Sequence, residues 1–488
     1  MSPSETDLIA RPIRLLVHAV FLLEAFAALT FIIDSSSQQI SIRVAAGAGV
    51  LLFAAIAAVA ILRQRGPETT EPGTAPKSQQ ILVVIAIGLA LRIVWVILVP
   101  PVQTSDFHRY LGAARNLLAT HTYYEDLMGH HFRAFTPPGL PFFLAAGMRI
   151  LGDHSWVPAV LNCFLYLLTS VMIGVIASRV AGWSAALWAV FLYAIWPSDI
   201  ALTGLAASEP LFLCLFLFAC LFLFLPEREA FRWSAACGIA AGLATLTRPT
   251  ALTTPVLWIG MLLILGRGTR KVKSVAVATL LLILVVAPWA IRNDHVLGTL
   301  VPVSTNGGDV FYRANNPSAT GSWTAKGDRD LSQYLGDEVR WNQVGFAWGK
   351  EWIASHPAGF LKLAVKKQDT FLGTDETGEY WALKRPYPEK TKTENIAKWV
   401  SDLWWFLIWI VLAYSLLRYR RSYLRVPELT CLLLPFLYFL YIHSVFESQD
   451  RYHIPGVPFV LIACALALAG TRGGALGVTE RNLAEAGK

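Results

Sequence analysis

Asp106, Arg109 and Tyr110 follow one another at i, i+3 and i+4 in the stretch SDFHRYLGAARNLL that begins at Ser105. On a helix the three share a face. A carboxylate there can take a proton from a hydroxyl, and a guanidinium can hold a phosphate by paired hydrogen bonds while staying charged. Such a pair suits a reaction between a water-side molecule and one carried by lipid. The plainer reading of the same residues is an acid capping an interfacial helix beside a surface arginine. Three more groups of this kind stand elsewhere, each at the end of an apolar block. They are Glu209 in GLAASEPLF, Arg248 in TLTRPTA and Arg451 in SQDRYHIP.

The elements that must position these residues follow from composition. The chain has 488 residues, 55% hydrophobic and only 15% charged, with a mean hydropathy of +0.50. A soluble chain carries about a quarter charged residues. The apolar residues come in repeated blocks of roughly 17–25, the length that crosses about 30 Å of hydrocarbon as helix. The fold class expected is an all-α polytopic membrane protein of about 12 transmembrane helices (11–13), with two large outer loops carrying juxtamembrane helices. The six cysteines all lie inside apolar blocks without CxxC or His-paired spacing, so they read as buried small hydrophobes. The pI near 9.1 comes from Lys and Arg flanking the spans, which gives no reason to expect a nucleic-acid partner. The N-terminus MSPSETDLIARPIR lacks a cleavable-signal pattern, so the first span is expected to stay.

Spans are predicted near 11–33, 41–62, 80–100, 157–178, 183–198, 205–225, 233–247, 250–266, 273–291, 399–418, 428–446 and 453–470. The basic connectors between them are RQRG (63–66), the Arg179 turn, PEREAFR (226–232), GRGTRKVK (266–273) and RYRRSYLR (418–425). Positive-inside bias places all five on the cytoplasmic side, and twelve alternating spans from a cytoplasmic N-terminus satisfy every one. The block PPGLPFFLAAGMRIL (137–151) must then not cross, since counting it would turn GRGTRKVK outward. It reads as a juxtamembrane or half-penetrating helix, with a short steep crossing as the competing reading. The expected organisation is two N-terminal spans and a cytoplasmic linker (1–79), a transmembrane core (80–292) with a first outer loop (101–137), a second outer loop (293–398), C-terminal spans (399–470) and a cytoplasmic tail (471–488). Helices are predicted near 337–355 and 357–373, separated by HisPro.

Other polar residues have weaker signals. His108, His121, His130 and His131 show no HxxxH or HExxH spacing and read as solvated interfacial histidines, so no metal site is expected. Tyr110, Tyr124 and Tyr452 read as interfacial anchors before sugar-stacking groups. Asn306, Asn315 and Asn316 sit in NGG and NNP, which are turn chemistry first and substrate contacts second. Arg92 and Glu24 fall inside spans and are functional candidates by position; Arg92 is close enough to the exterior end to snorkel toward a phosphate.

Read in order, the motifs DFHRY, TPPGLPFFL, SEP, LTRPTAL, APWAIRN, GTLVPVSTNGG, FYRANNPSATG and DRYHIP resemble a known family. From about Ile81 to Gly470 the chain is similar to bacterial glycosyltransferases of the GT-C superfamily. The branch is glycosyltransferase family 39, with the protein O-mannosyltransferases and the aminoarabinose transferase that modifies lipid A of lipopolysaccharide. Two extra N-terminal spans and no obvious soluble C-terminal domain are its departures. The resemblance implies a cell-envelope enzyme of the cytoplasmic (inner) membrane, its active site facing the periplasm or exterior. It would move a sugar from a polyprenyl-phosphate donor to an acceptor hydroxyl on a glycolipid, polysaccharide or protein, with inversion at the anomeric carbon. It further implies Asp106 as general base on that hydroxyl, and Glu209 as a second acid binding sugar or acceptor. Arg109, Arg248, Arg292 and Arg451, with Tyr452, become the phosphate and donor ligands. Tyr110, Tyr124, Asn306 and Asn316 become substrate contacts. With arginines supplying positive charge and no DxD in the first loop, no metal cofactor is required.

Two other classes fit a multi-span chain: a transporter or flippase of a lipid-linked glycan, and a non-catalytic subunit of an envelope assembly. A transporter places polar groups near mid-bilayer, whereas here the ionisable groups crowd one side.

Overall fold

The computed structural model describes residues 3–36, 77–266, 269–324, 327–384, 386 and 391–470. The predicted span 41–62, the connector 63–66 and the tail 471–488 lie outside the described residues. Helices dominate: α1 (Pro3–Ser36), α2 (Lys77–Leu98), α3 (Asp106–Thr120), α4 (Gly139–Leu151), α5 (Val157–Ala181), α6 (Trp183–Ala194), α7 (Ser208–Leu221), α8 (Glu227–Thr247), α9 (Thr254–Leu265), α10 (Thr269–Leu297), α11 (Gly307–Ala314), α12 (Glu338–Ser355), α13 (Pro357–Leu372), α14 (Thr391–Arg418), α15 (Leu434–Val445) and α16 (Val457–Leu468). The chain is an all-α polytopic membrane protein.

Among the described residues, seven stretches are long and apolar enough to cross a membrane: Ala10–Ile33, Gln79–Leu98, Val157–Ala181, Thr269–Leu297, Lys392–Arg418, Pro427–Val445 and Asp450–Leu468. Four more apolar helices are shorter, Gly139–Leu151 among them. Several expected spans are broken rather than continuous. The block 183–198 ends as helix at Ala194, and Pro197 opens a separate short helix to Leu202, because proline suits a first turn and not a helix interior. The block 428–446 is likewise divided, into Pro427–Cys431 and α15.

Helices α8 and α10 pack with their backbones close together. A Cβ on Gly238 would lie 2.4 Å from the Ala278 carbonyl oxygen, and one on Gly242 2.5 Å from Val285 Cβ. The GIAAG spacing is therefore a small-xxx-small contact that lets two backbones approach, the means by which helices pack when lipid removes the hydrophobic drive. At one end of α8, Glu229 pairs with Arg179 at 3.4 Å. Lys271 donates to the Leu223 carbonyl at 2.7 Å. The connectors after α5, α7 and α9 thus gather at one end of the bundle. The 21 residues of α8 rise about 30 Å, so Arg248, just past its other end, stands at the opposite end.

That opposite end carries the two long connections. α12 and α13 occupy the predicted stretches; Asp337 caps α12 by accepting the Arg340 N–H at 3.0 Å, and Pro357 starts α13 at its first turn. NGG, read as a turn, instead opens α11. Gly308 donates its N–H to Asn342 Oδ1 at 2.7 Å, and a Cβ there would strike the Asn342 carbonyl at 1.9 Å. One element had no sequence signal: a hairpin pairing Glu125–Leu127 with His130–Phe132. Its turn residues are Met128 (φ 52) and Gly129 (φ 81), a pair without the Asn-Gly or Asp-Gly signature of tight hairpins. The two connections are joined by Glu338. Its carboxylate accepts the N–H groups of Arg133 (2.8 Å) and Ala134 (3.1 Å) and the Thr305 hydroxyl (2.8 Å).

Candidate active site

Asp106 opens α3, where a negative charge meets the positive end of the helix. It is 30% exposed, the most open of the acids that meet here. One turn on, the Arg109 guanidinium lies 3.6 Å from Asp106 Oδ1 and 3.3 Å from Glu125 Oε2. Glu125 comes from the hairpin and is buried. Its other oxygen accepts both the backbone N–H and the hydroxyl of Thr136 at 2.7 Å. Burial pushes its carboxyl up from the ordinary value, and Arg109 pulls the other way. Glu125 therefore fixes Arg109 and, through Thr136, the chain entering Pro137-Pro138.

Glu209 sits in the first turn of α7 and is 2% exposed. Its carboxylate forms an ion pair with Arg248. The Arg248 Nε also donates to Ser208 at 3.0 Å. Arg451, in the turn before α16, joins the two acids: its guanidinium is 3.7 Å from Asp106 and 3.8 Å from Glu209. The result alternates in sign, Glu125–Arg109–Asp106–Arg451–Glu209–Arg248. Tyr110 lies among these charges; burial, with Asp106 adding to it, raises its phenol well above the ordinary value.

The network continues on a second branch. Arg451 donates to the Tyr452 hydroxyl at 3.4 Å, and that hydroxyl donates to Glu447 at 3.4 Å. Glu447 is 3.2 Å from Arg313, which pairs with Asp309 at 3.1 Å. Burial raises the Glu447 and Asp309 carboxyls, against the pull of Arg313. Asp106, Arg109, Arg313 and Arg451 all line one cavity of about 1190 Å³, together with the exposed Trp323 and with Tyr380. Its volume exceeds the roughly 300–1,000 Å³ of single-ligand pockets, which leaves room for two reactants.

The structure thus brings together Asp106, Arg109, Tyr110, Glu209, Arg248, Arg451 and Tyr452. Four other residues singled out in the sequence lie elsewhere or are otherwise engaged. Arg292 donates to the carbonyls of Arg133 (2.6 Å) and Tyr123 (2.9 Å) and lies over the Trp289 ring at 4.7 Å; it clamps the first connection rather than facing the cavity. Tyr124 packs edge-on to His131. Asn306 accepts from Ser304 at 2.9 Å, at the start of α11. Asn316 borders the cavity, yet its amide bonds to the Tyr312 and Arg313 carbonyls and to the Ser318 N–H, all within its own turn.

Arg92 does not snorkel toward this end. It is 1% exposed, 2.5 Å from Asp199, bonded to the Gly88 and Ala194 carbonyls and 3.7 Å over the Tyr166 ring. Glu24 accepts from the Tyr441 hydroxyl at 3.3 Å. The four histidines of the first connection are exposed. Among the described residues no three His, Cys, Asp or Glu side chains group as a metal site would. Glu125, Asp309, Arg313 and Glu447 belong to the charge network and were not singled out in the sequence. Only Arg313 had a signal, its place in FYRANN.

The sequence profile of the dolichyl-phosphate-mannose-protein mannosyltransferase family matches residues 136–291. Among solved structures, the chain is similar to the Archaeoglobus fulgidus oligosaccharyltransferase in complex with zinc and sulfate. Identity is 15% and the TM-score 0.49, over 80% of this chain and 48% of that one. The same organism's AglB, in complex with an inhibitory peptide and a dolichol-phosphate, aligns at 13% identity and TM-score 0.48, over 80% of this chain and 50% of that one. ArnT from Cupriavidus metallidurans bound to undecaprenyl phosphate aligns at 13% identity and TM-score 0.41, over 80% and 77%. The chain spans about half the length of the oligosaccharyltransferase. No curated protein matches it in sequence.

Proposed function

We propose that this chain is a membrane glycosyltransferase of the GT-C kind, which transfers a sugar from a polyprenyl-phosphate donor to an acceptor hydroxyl; the family match over residues 136–291 supports the reading. The observation that carries this reading is the convergence of Asp106, Arg109, Glu209, Arg248 and Arg451, from four separate stretches of chain, in one ion-pair network whose Asp106, Arg109 and Arg451 line the cavity. That network stands at the end of the bundle opposite the basic connectors. With those connectors on the cytoplasmic side, the cavity opens outside the cytoplasmic membrane, at the depth of the lipid headgroups.

In the proposed reaction Asp106 takes the proton of the acceptor hydroxyl, whose oxygen forms a bond to the anomeric carbon. The bond from that carbon to the phosphate oxygen breaks, and the electron pair leaves with the phosphate. A singly charged diester becomes a doubly charged monoester. Fixed guanidiniums aimed at that growing charge stabilise the transition state more than the ground state. Arg451 and Arg109 support this role best: the Nε of each is buried without a hydrogen-bond partner, so an arriving phosphate oxygen satisfies donors that the protein leaves open. Arg248 is already engaged by Glu209, and Arg109 stands beside Glu125 at 3.3 Å. These acids hold the cations in place, and they compensate charge that would otherwise be buried alone. The arginines supply the positive charge, so the proposal includes no metal ion. Attack opposite a single leaving group inverts the anomeric centre.

The test is transfer by purified protein from a polyprenyl-phosphate sugar, with D106N as the variant. Loss of transfer with an unchanged melting temperature supports the base; full turnover by D106N removes it. Transport of the lipid-linked sugar in proteoliposomes without any transfer replaces the enzyme with a transporter.

A further inference from the structure

Arg451 is placed by its backbone more than by its side chain. Its guanidinium contacts are 3.4, 3.7 and 3.8 Å long, at or beyond ordinary hydrogen-bond length. A cation without tight ligands is positioned by the turn that carries it. That turn, Asp450–Tyr452, is tied to the chain after α13. The Asp450 carboxylate accepts the Glu376 N–H at 2.9 Å, the Thr377 hydroxyl at 2.5 Å and the Arg451 N–H at 2.9 Å.

The next residue, His453, is fully buried. Its Nδ1 is 2.7 Å from the Phe371 carbonyl oxygen, and its Nε2 is 3.1 Å from Asp375 Oδ1. The ring stacks on Trp405 at 4.3 Å. The second Asp375 oxygen accepts the Trp196 indole N–H at 2.6 Å. Both imidazole nitrogens thus face acceptors, while a neutral imidazole carries one N–H. The Phe371 carbonyl takes that one. The contact between Nε2 and Oδ1 then needs a second proton, on the ring or on the carboxyl.

We infer that His453 and Asp375 share a proton and act as a positioning pair, holding Arg451 at the phosphate site through the turn Asp450–Tyr452. The inference rests on reading Arg451 as a phosphate ligand. Once the shared proton leaves, a lone pair and a carboxylate oxygen oppose each other at this contact, the turn loosens and phosphate binding weakens. The decline comes as pH rises.

The surroundings favour keeping the proton. Asp402 accepts the Asp375 N–H at 3.1 Å, and the Asp450 charge acts on Asp375 while Asp375 acts on Glu379. Lys398 is the neighbouring cation, 2.7 Å from Glu376. From α15, His443 faces Phe371 and stacks on Tyr452 at 4.2 Å without touching the pair. Burial raises the Asp375 carboxyl to about 6.

Binding of undecaprenyl phosphate to the purified full-length protein in detergent tests this. In wild type, affinity falls at least about tenfold between about pH 5 and about pH 7, across the Asp375 value of about 6, as the shared proton is lost. In D375N the amide N–H replaces that proton, donating to Nε2 of a neutral ring while its oxygen accepts from Trp196, so the decline disappears. H453F keeps the stack on Trp405 and loses the bridge; at both pH values its affinity lies about tenfold or more below that of wild type at about pH 5, with the melting temperature recorded alongside. Affinity in H453F like that of wild type at the lower pH, or an unchanged decline in D375N, overturns the positioning pair and leaves the phosphate reading standing. Absence of binding by wild type overturns both.

Discussion

The guanidinium of Arg451 stands 3.7 Å from the carboxylate of Asp106, near enough to feel its charge and too far to hydrogen-bond it. Each group therefore keeps an open edge toward the cavity they share. Replacing Arg451 by lysine keeps the charge and loses the planar fork that grips phosphate. We expect R451K to fold and to lose about 10²–10³-fold in kcat for sugar transfer, the usual cost of one removed transition-state donor. Transfer kinetics check this; activity within a few-fold of wild type would show that the fork is not used.

Arg248 and Glu209 form the buried half of the network. R248M leaves the Glu209 carboxylate, at 2% exposure, with only Arg451 at 3.8 Å, and breaking the buried Arg248 pair costs up to about 3–5 kcal/mol. R248M/E209Q removes the stranded charge and should recover much of that loss without restoring transfer. Denaturation of the two variants in detergent measures the difference, and equal stability would contradict it.

Glu125 acts on Arg109 from outside the cavity. E125Q keeps an acceptor for Thr136 and removes the charge facing the guanidinium. A fall in kcat/KM of about tenfold is expected, the worth of one charge-assisted contact, with the fold intact. No change in kinetics would mean that Arg109 is held by Asp106 alone.

Within the bundle, Arg92 and Asp199 tie α2 to the short helix Pro197–Leu202. R92M should lower stability by about 3–5 kcal/mol, and R92M/D199N by clearly less. A double-mutant cycle on melting gives the coupling; a coupling near zero would contradict the buried pair at 2.5 Å.

Lys367 is buried on α13 and donates to Asn315 Oδ1 at 3.0 Å and to the Val445 carbonyl at 2.9 Å. Burial lowers its amine from 10.5 to about 7. Between those values the unfolded chain holds a proton that the folded chain has released, so this residue makes stability rise with pH across that window. K367M should lose that rise and leave two buried acceptors unpaired, a cost of about 1–3 kcal/mol. Melting of both proteins across the window reads out the slope.

What was legible in the chain was local. Asp106, Arg109 and Tyr110 share a helix face because their spacing matches the helical repeat, and they meet in the structure. The helices either side of His356-Pro357 follow from proline at a first turn. The block length and low charge dictate helices in lipid. Arg292 shows where such reading stops: its position at a span end resembles that of Arg248, yet it turns to the carbonyls of Tyr123 and Arg133.

The contacts that make the site are between residues far apart in sequence, and no spacing encodes them. Glu125 meets Arg109 only because a hairpin with an unmarked Met128-Gly129 turn folds back. Arg313 reaches Glu447, and His453 reaches Asp375, across the join between separate segments. Arg92 is the one charge in its predicted span until Asp199 arrives beside it from a broken helix. Periodicity and composition act through the bilayer and the backbone of each segment alone, so they settle which segments are helices and which ends carry charge. Which acid opposes which guanidinium depends on how those helices pack, and that was decided only in three dimensions.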